Sequence, residues 1–332
     1  MKKRTAELLA NIMFAPVLLL AAVLAFGASH GSTAQPDEIR YAAMPLLSQA
    51  PLVIGVGKGL FAAEGVKVTL LRVESGPQGL QAVMAGSAEA AHIAGAPLVY
   101  AASNGLKIAV VADNGRITKQ NTQSAILVKA DSPIHSLTDL KGRKIASLPP
   151  GTITDVQLRG LILPRLGLKP GTDVTVVPAG FPDMPGMLRA GTVDAVFENE
   201  PFVTTMLKQG GFRVISNLGE FIQDQGDYLS MITFRRDFLV SHGDAVRRFL
   251  RAYLKAVAIY NSDKQERVAA MHEWTKLPNS VLDDVPPLEI SNRGTINPAA
   301  LTPVVGTLLK LGYIKKPVDI ESYVDNSFLP KS

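Results

Sequence analysis

The stretch Met84-Ala85-Gly86-Ser87-Ala88-Glu89-Ala90-Ala91 recurs in character as Arg189-Ala190-Gly191-Thr192-Val193-Asp194-Ala195-Val196, 105 positions further on (189 − 84). In each copy a helix is expected to end at Gly, which enters the left-handed C-cap conformation without steric penalty. The chain then passes through a small residue and an acid into a buried strand. Pro45 and Pro150 stand at the same separation, each after a strand. A displaced copy of one helix-to-strand junction implies a chain of two similar halves. In open α/β sheets ligands sit beyond the carboxyl ends of the strands, so two such halves facing each other place their strand-end loops around one cleft.

The pattern between the copies supports this reading. Short apolar runs over 39–44, 66–73, 88–94 and 107–112 alternate with helical segments over 51–61, 78–85 and 97–104. Beyond Ser124 the order starts again, with extended runs at 125–129, 144–147, 174–178, 193–197 and 212–215, and a helix at 154–166. The run 229–234 reads as the return to the first half, and 244–260 as a long amphipathic helix. Such alternation predicts an α/β fold with parallel or mixed sheets covered by helices. The expected division is a first lobe of 35–123 with 230–332 and a second lobe of 124–229, with hinges near 124–128 and 229–233.

Lys2, Lys3 and Arg4, an apolar run over 12–26 and the small residues Ser32-Thr33-Ala34 read as an export signal cleaved after Ala34. The run is shorter than the roughly 20 residues that span a bilayer, so no stable membrane insertion is expected after cleavage. With no cysteine in the chain, disulfides, thiolate zinc sites, a cysteine nucleophile and a lipidated anchor are all excluded. A soluble periplasmic protein follows. The formal charge of +5 is spread without a dense basic block interleaved with aromatics, so no nucleic-acid partner is expected. His92, His135, His242 and His272 show no metal-ligand spacing, and neither a phosphate-binding loop nor a nucleophile elbow is present. Neither metal nor cofactor is expected, and any ATP hydrolysis belongs to a partner.

Three stretches, in this order, resemble a known family: Gly57-Lys58-Gly59-Leu60-Phe61-Ala62-Ala63-Glu64-Gly65-Val66-Lys67-Val68, Leu137-Thr138-Asp139-Leu140-Lys141-Gly142-Arg143-Lys144-Ile145-Ala146, and Gly191-Thr192-Val193-Asp194-Ala195-Val196 leading to Glu200-Pro201. They are similar to the nitrate, sulfonate and taurine-type solute-binding proteins of ABC importers, a family that includes binders resembling those of thiamine-pyrimidine precursors. The resemblance implies a type II periplasmic-binding fold, with two α/β lobes joined by two crossings. It also implies delivery of ligand to a membrane permease driven by a cytoplasmic ATPase. Asn199 stands where family members often carry a Trp before the Glu-Pro, so the fold carries over and the ligand's identity does not.

Candidate ligand-binding residues follow from strand-end loops that open helices. Ser48 and Gln49, Ser75 and Gly76, Gly95 and Ala96, and the loop Gly151, Thr152 and Thr154 occupy such places. Ser and Thr there serve either as ligand contacts or as N-caps, and free first-turn N–H groups favour anions. Glu198 and Glu200 are placed to accept hydrogen bonds from a ligand or to stabilise a helix start. Asn114, with Arg116 nearby, follows a first-half strand. Phe181 and Tyr228 either wall a ligand or fill a core.

The function these expectations describe is a monomeric receptor that closes on a small organic anion of sulfonate, carboxylate or pyrimidine type. The alternatives are an exported lyase or dehydratase on the same fold, for which no constellation of nucleophile, base and orienter is legible, and a periplasmic ligand sensor.

Overall fold

Runs of β-branched and small apolar residues form the strands, and the computed structural model describes residues 37–222 and 227–331. The expected export signal lies outside the described residues. In chain order the strands are β1 (Asp37–Ala43), β2 (Val66–Arg72), β3 (Ala90–Ile93), β4 (Ile108–Asp113), β5 (Arg116–Ile117), β6 (Ser124–Lys129), β7 (Lys144–Ser147), β8 (Thr175–Pro178), β9 (Ala195–Asn199), β10 (Phe212–Ser216), β11 (Asp227–Tyr228) and β12 (Met231–Arg235).

Two five-stranded sheets result, of order β2-β1-β3-β12-β4 and β8-β7-β9-β6-β10. The orders are equivalent. In the first sheet β1 runs parallel to β2 and β3, while β12 is antiparallel to β3 and β4. In the second β7 runs parallel to β8 and β9, while β6 is antiparallel to β9 and β10. Strands such as β4 and β9, buried along their whole length, carry apolar residues on both faces because helices cover both sides.

The repeated junction is the local reason for this equivalence. Gly86 and Gly191 both adopt left-handed backbone, with φ of 74° and 71°. The acid that follows clamps the neighbouring strand in each copy. Glu89 Oε2 accepts the Arg40 backbone N–H at 2.7 Å and Asp194 Oδ2 accepts that of Lys144 at 2.8 Å. Each acid's own N–H returns a bond to the same residue's carbonyl, at 2.9 and 2.8 Å. The junction therefore fixes where β3 and β9 enter their sheets.

Helix Gly243–Ser262 packs its apolar stripe of Val246, Phe249, Leu250, Tyr253, Val257 and Tyr260 on the first sheet. Phe249 also stacks on Phe61, ring centroids 5.0 Å apart. The segment expected as one helix over 51–61 is two, Ala50–Gly57 and Leu60–Ala63, broken where Gly59 takes a φ of 67°. The helix expected over 154–166 runs from Ile153 to Arg165 with a π turn at Leu158–Ile162.

The chain passes between the sheets twice, and the two passages pair with each other. β5 and β11 form an antiparallel ribbon, Asp227 opposite Ile117 and Tyr228 opposite Arg116. The segments expected as hinges, 124–128 and 229–233, lie beside this ribbon, mostly inside β6 and β12, where ladder hydrogen bonds hold them to their sheets.

Candidate functional site

Beyond the carboxyl ends of the parallel strands lies a cavity of about 170 Å³. From the first half it is lined by Met44, Leu46, Ser75, Gly76, Pro77, His92, Ala94 and Pro97, and from the second by Leu148, Pro149, Pro150, Thr152, Ile153, Phe181, Asn199 and Leu229. Three pairs repeat the 105-residue displacement (149 − 44, 181 − 76, 199 − 94): Met44 with Pro149, Gly76 with Phe181, and Ala94 with Asn199. The repeat thus builds both walls. Pro77, Pro97 and Pro150 are shared with an outer groove of about 590 Å³ and frame the mouth of the cavity.

The cavity is mostly apolar, and none of its lining residues is Asp, Glu, Lys or Arg. Its polar groups are few, and Ser75, Thr152 and Asn199 are each held by a neighbour. Ser75 caps helix Gly76–Met84 by accepting the Gln78 N–H at 3.3 Å. Thr152 donates its hydroxyl to the Pro149 carbonyl at 2.7 Å, which fixes the loop before the second-half helix. Asn199 Oδ1 accepts from Ser124 Oγ at 2.8 Å, leaving its amide N–H groups to other partners. The Met44 carbonyl is anchored by Trp274 Nε1 at 2.8 Å. His92 is buried, and burial lowers its pKa to about 4, opposed by the nearby Ala42 backbone. At neutral pH the site therefore carries no charged side chain.

Two helix starts complete it. Helices Gly76–Met84 and Gly95–Ser103 begin at the cavity with Pro77 and Pro97 in their first turns. The N–H groups of Gly76, Gly95 and Ala96 have no carbonyl one turn back inside their helices, so these ends attract a negatively charged or acceptor group.

Of the residues predicted from sequence, Ser75, Gly76, Thr152 and Phe181 line the cavity. The others are placed elsewhere, each for a visible reason. Ser48 and Gln49 are fully buried in a tight turn, and Gln49 Nε2 donates to Ser48 Oγ at 2.8 Å. Gly95 faces Leu301 and Ala96 packs in the first-half core, although their neighbours Ala94 and Pro97 reach the cavity. Asn114 is locked between Ser230 Oγ at 2.9 Å and the Tyr253 hydroxyl at 2.8 Å. Arg116 pairs with Glu289 at 2.9 Å. Gly151 lines the outer groove, and Thr154 lies beneath the loop, accepting from Ser147 Oγ at 3.1 Å. The Tyr228 hydroxyl is tied to the Asn297 N–H at 2.7 Å.

The two acids also lie outside the cavity lining. Glu200 accepts from both the N–H and the hydroxyl of Thr204, at 3.1 and 2.9 Å, and so stabilises the start of helix Phe202–Gln209. Glu198 is fully buried with both carboxylate oxygens unpaired, and burial pushes its pKa well above the carboxylate range.

Sequence reasoning passed over Met44, His92, Pro149 and Asn199. The signal was available for Met44, Pro149 and Asn199, which sit at repeat-related positions. His92 was weighed only as a metal ligand. Its repeat counterpart is Phe197 (197 − 92 = 105), a wholly buried core residue, so a histidine here departs from what packing alone selects.

The halves meet beside the mouth. Tyr313 donates to Asp155 Oδ2 at 2.6 Å, and Lys208 pairs with Asp284. A Cβ on Gly160 would come within 2.3 Å of Thr307 Cγ2, so the π-turn helix approaches helix Thr302–Lys310 as closely as a glycine allows.

Two equivalent α/β sheets joined by a paired double crossing, with one cavity between their strand ends, define a ligand receptor of the type II periplasmic-binding fold. The chain belongs to the NMT1-like family, whose model matches residues 32–274. A Bacillus subtilis (strain 168) protein provisionally named as binding aliphatic sulfonates is 26% identical over 332 aligned positions, covering 97% of this chain and 95% of that one. The taurine-binding periplasmic protein of Escherichia coli (strain K12) is 26% identical over 235 positions, covering 70% of this chain and 68% of that protein. Among solved structures, the periplasmic aliphatic sulphonate binding protein SsuA from Escherichia coli matches with a TM-score of 0.73 at 24% identity, covering 87% of this chain and 92% of that one. These relatives are binding proteins. The fold also extends to the desulfurization enzyme DSZB, with a TM-score of 0.62 at 18% identity.

Proposed function

We propose that this chain is the periplasmic receptor of an ABC importer, which encloses a small organic anion between its two halves and presents it to a membrane permease driven by a cytoplasmic ATPase. The observation that carries the reading is the cavity with its three repeat-related pairs of wall residues. A ligand there touches both halves at once, so it binds the closed form more tightly than either half alone and shifts the equilibrium toward closure. Family membership and the names of the relatives support the same assignment.

The cavity bounds the ligand. About 170 Å³ holds roughly five or six waters at roughly 30 Å³ each, well under the size of a drug-like site. The helix starts at Gly76 and Gly95 favour an anionic head group, and the apolar walls favour a short carbon body. Sulfonates, carboxylates and pyrimidine-type anions are the classes to test. The moving bodies are the lobes divided at 123/124 and 229/230, turning about the β5/β11 ribbon, and the working form is a monomer.

Among the described residues no helix is long and apolar enough to cross a membrane, in keeping with a protein that works free in the periplasm after export. The reading is tested by thermal shift and small-angle scattering against those three ligand classes. Ligand at a hundredfold excess over its dissociation constant is expected to stabilise the protein by about 2.7 kcal/mol. The scattering radius should fall with it. A ligand that raises the melting temperature while catalytic turnover of it is detected would assign an enzyme instead.

A further inference from the structure

His92 is 4% exposed and lines the cavity, and its Nδ1 has no hydrogen-bond partner. Burial lowers its pKa to about 4, so the ring is neutral at physiological pH. In the neutral ring one nitrogen carries a hydrogen and the other is a bare acceptor. A buried acceptor without a donor is expensive, and native proteins satisfy such groups with water or ligand. The repeat sharpens the point, because the equivalent Phe197 satisfies the same strand position with an apolar ring in the core.

We propose that His92 is a specificity residue whose neutral imidazole accepts a hydrogen bond from an uncharged O–H or N–H of the ligand, so that the cavity selects hydroxylated small organic anions over their unsubstituted counterparts. The inference rests on the small-anion reading above. The donor is uncharged because no carboxylate lines the cavity to compensate an ammonium group in apolar surroundings. The ligand is then bipolar. Its anionic head meets the helix start at Gly76, and its hydroxyl meets the imidazole.

The test is calorimetry on the mature full-length protein with two pairs that differ by one hydroxyl: 2-hydroxyethanesulfonate against ethanesulfonate, and lactate against propionate. The wild type is expected to favour the hydroxylated member of at least one pair by about tenfold or more, since the unsubstituted partner leaves the imidazole acceptor unpaired. His92→Phe should abolish the preference while still binding the unsubstituted anion, and His92→Asn, which restores an acceptor near the same point, should recover part of it. Because His92→Phe replaces a strand residue, 15N spectra of histidine-labelled wild type give an independent reading. The resonance of the unprotonated ring nitrogen should shift with the hydroxylated ligand and stay in place with the other. Binding of both members with equal affinity, or a preference that survives His92→Phe, overturns the role of His92 and leaves the anion reading standing. Failure of the wild type to bind any of the four overturns this inference, while the small-anion reading is decided separately by the thermal-shift screen over the three ligand classes.

Discussion

The Tyr313 hydroxyl donates to Asp155 Oδ2 at 2.6 Å, and the same oxygen accepts the Gly151 N–H at 3.0 Å. One carboxylate, held from its other side by Arg159 at 2.6 Å, thus ties the segment after helix Thr302–Lys310 to the loop at the cavity mouth. Helix Thr302–Lys310 packs on Gly95–Ser103 of the first half, whereas Asp155 belongs to the helix that opens the second. Burial raises the Tyr313 pKa to about 12, with the bond to Asp155 adding to it, so the phenol remains a donor throughout the physiological range. Tyr313→Phe removes this single bond with little change in shape. Ligand affinity is expected to fall about three- to tenfold, corresponding to roughly 0.5–1.5 kcal/mol. Calorimetry on both forms checks it, and unchanged affinity would remove this bond from the closing mechanism.

Closure also depends on Gly160. A methyl group there meets Thr307 Cγ2 at 2.3 Å and Leu311 Cδ1 at 3.1 Å, so Gly160→Ala forces the two helices apart where the halves touch. The expected result is a ligand-induced melting shift much smaller than that of the wild type, with the unliganded melting temperature less affected. Thr307→Ser deletes the offending methyl and should restore most of the shift in the double variant. The two changes are in contact and are expected to be non-additive by about 0.5–3 kcal/mol. Additive effects would show that the helices do not meet in the liganded state.

Thr152 lies on the loop that lines the second wall, with its hydroxyl bound to the Pro149 carbonyl. Thr152→Val keeps the volume and removes that bond, freeing a loop whose backbone faces the ligand. Binding is expected to weaken about tenfold while stability in the absence of ligand changes by about 1 kcal/mol or less, the net value of one partly exposed hydrogen bond. Titration calorimetry paired with thermal melts separates the two quantities. Equal losses in both would mark Thr152 as a structural residue only.

Glu198 provides a pH test. Its raised pKa means that the folded protein holds this proton more tightly than the unfolded chain. The associated destabilisation is absent below the ordinary carboxylate pKa and grows as pH rises from there toward the folded value. Glu198→Gln is therefore expected to stabilise the protein at pH 8, by about 1–2 kcal/mol, and to be nearly neutral at pH 4. Denaturant titrations at the two pH values decide it. Equal effects at both would show that the carboxyl does not change its charge over this range.

Much of the architecture is legible in local patterns. Strand and helix positions follow from apolar periodicity, and the pairing of Gly86-to-Glu89 with Gly191-to-Asp194 announces two equivalent sheets before any coordinate is known. The boundaries that shifted did so where backbone conformation intervened, as at Gly59, whose left-handed φ splits one expected helix in two. The return strand β12 was visible as an apolar run, whereas the short ribbon of β5 and β11 carries too few residues to show a period of two.

The candidate site was less legible, and the difference is physical. Selecting polar residues at strand ends picked out Ser75 and Thr152 but also Asn114 and Gln49, whose side chains turn inward, Gln49 Nε2 donating to Ser48 Oγ and Asn114 bonding Ser230 and Tyr253. Met44, Pro149 and Leu148 line the cavity yet carry no chemical mark that separates them from core residues. What the sequence alone determines here is the repeated α/β unit, because turn chemistry and periodicity act between residues close along the chain. Which strand ends meet across the cavity, and that an unpaired imidazole stands among them, was decided only when two sheets built from distant segments were folded face to face.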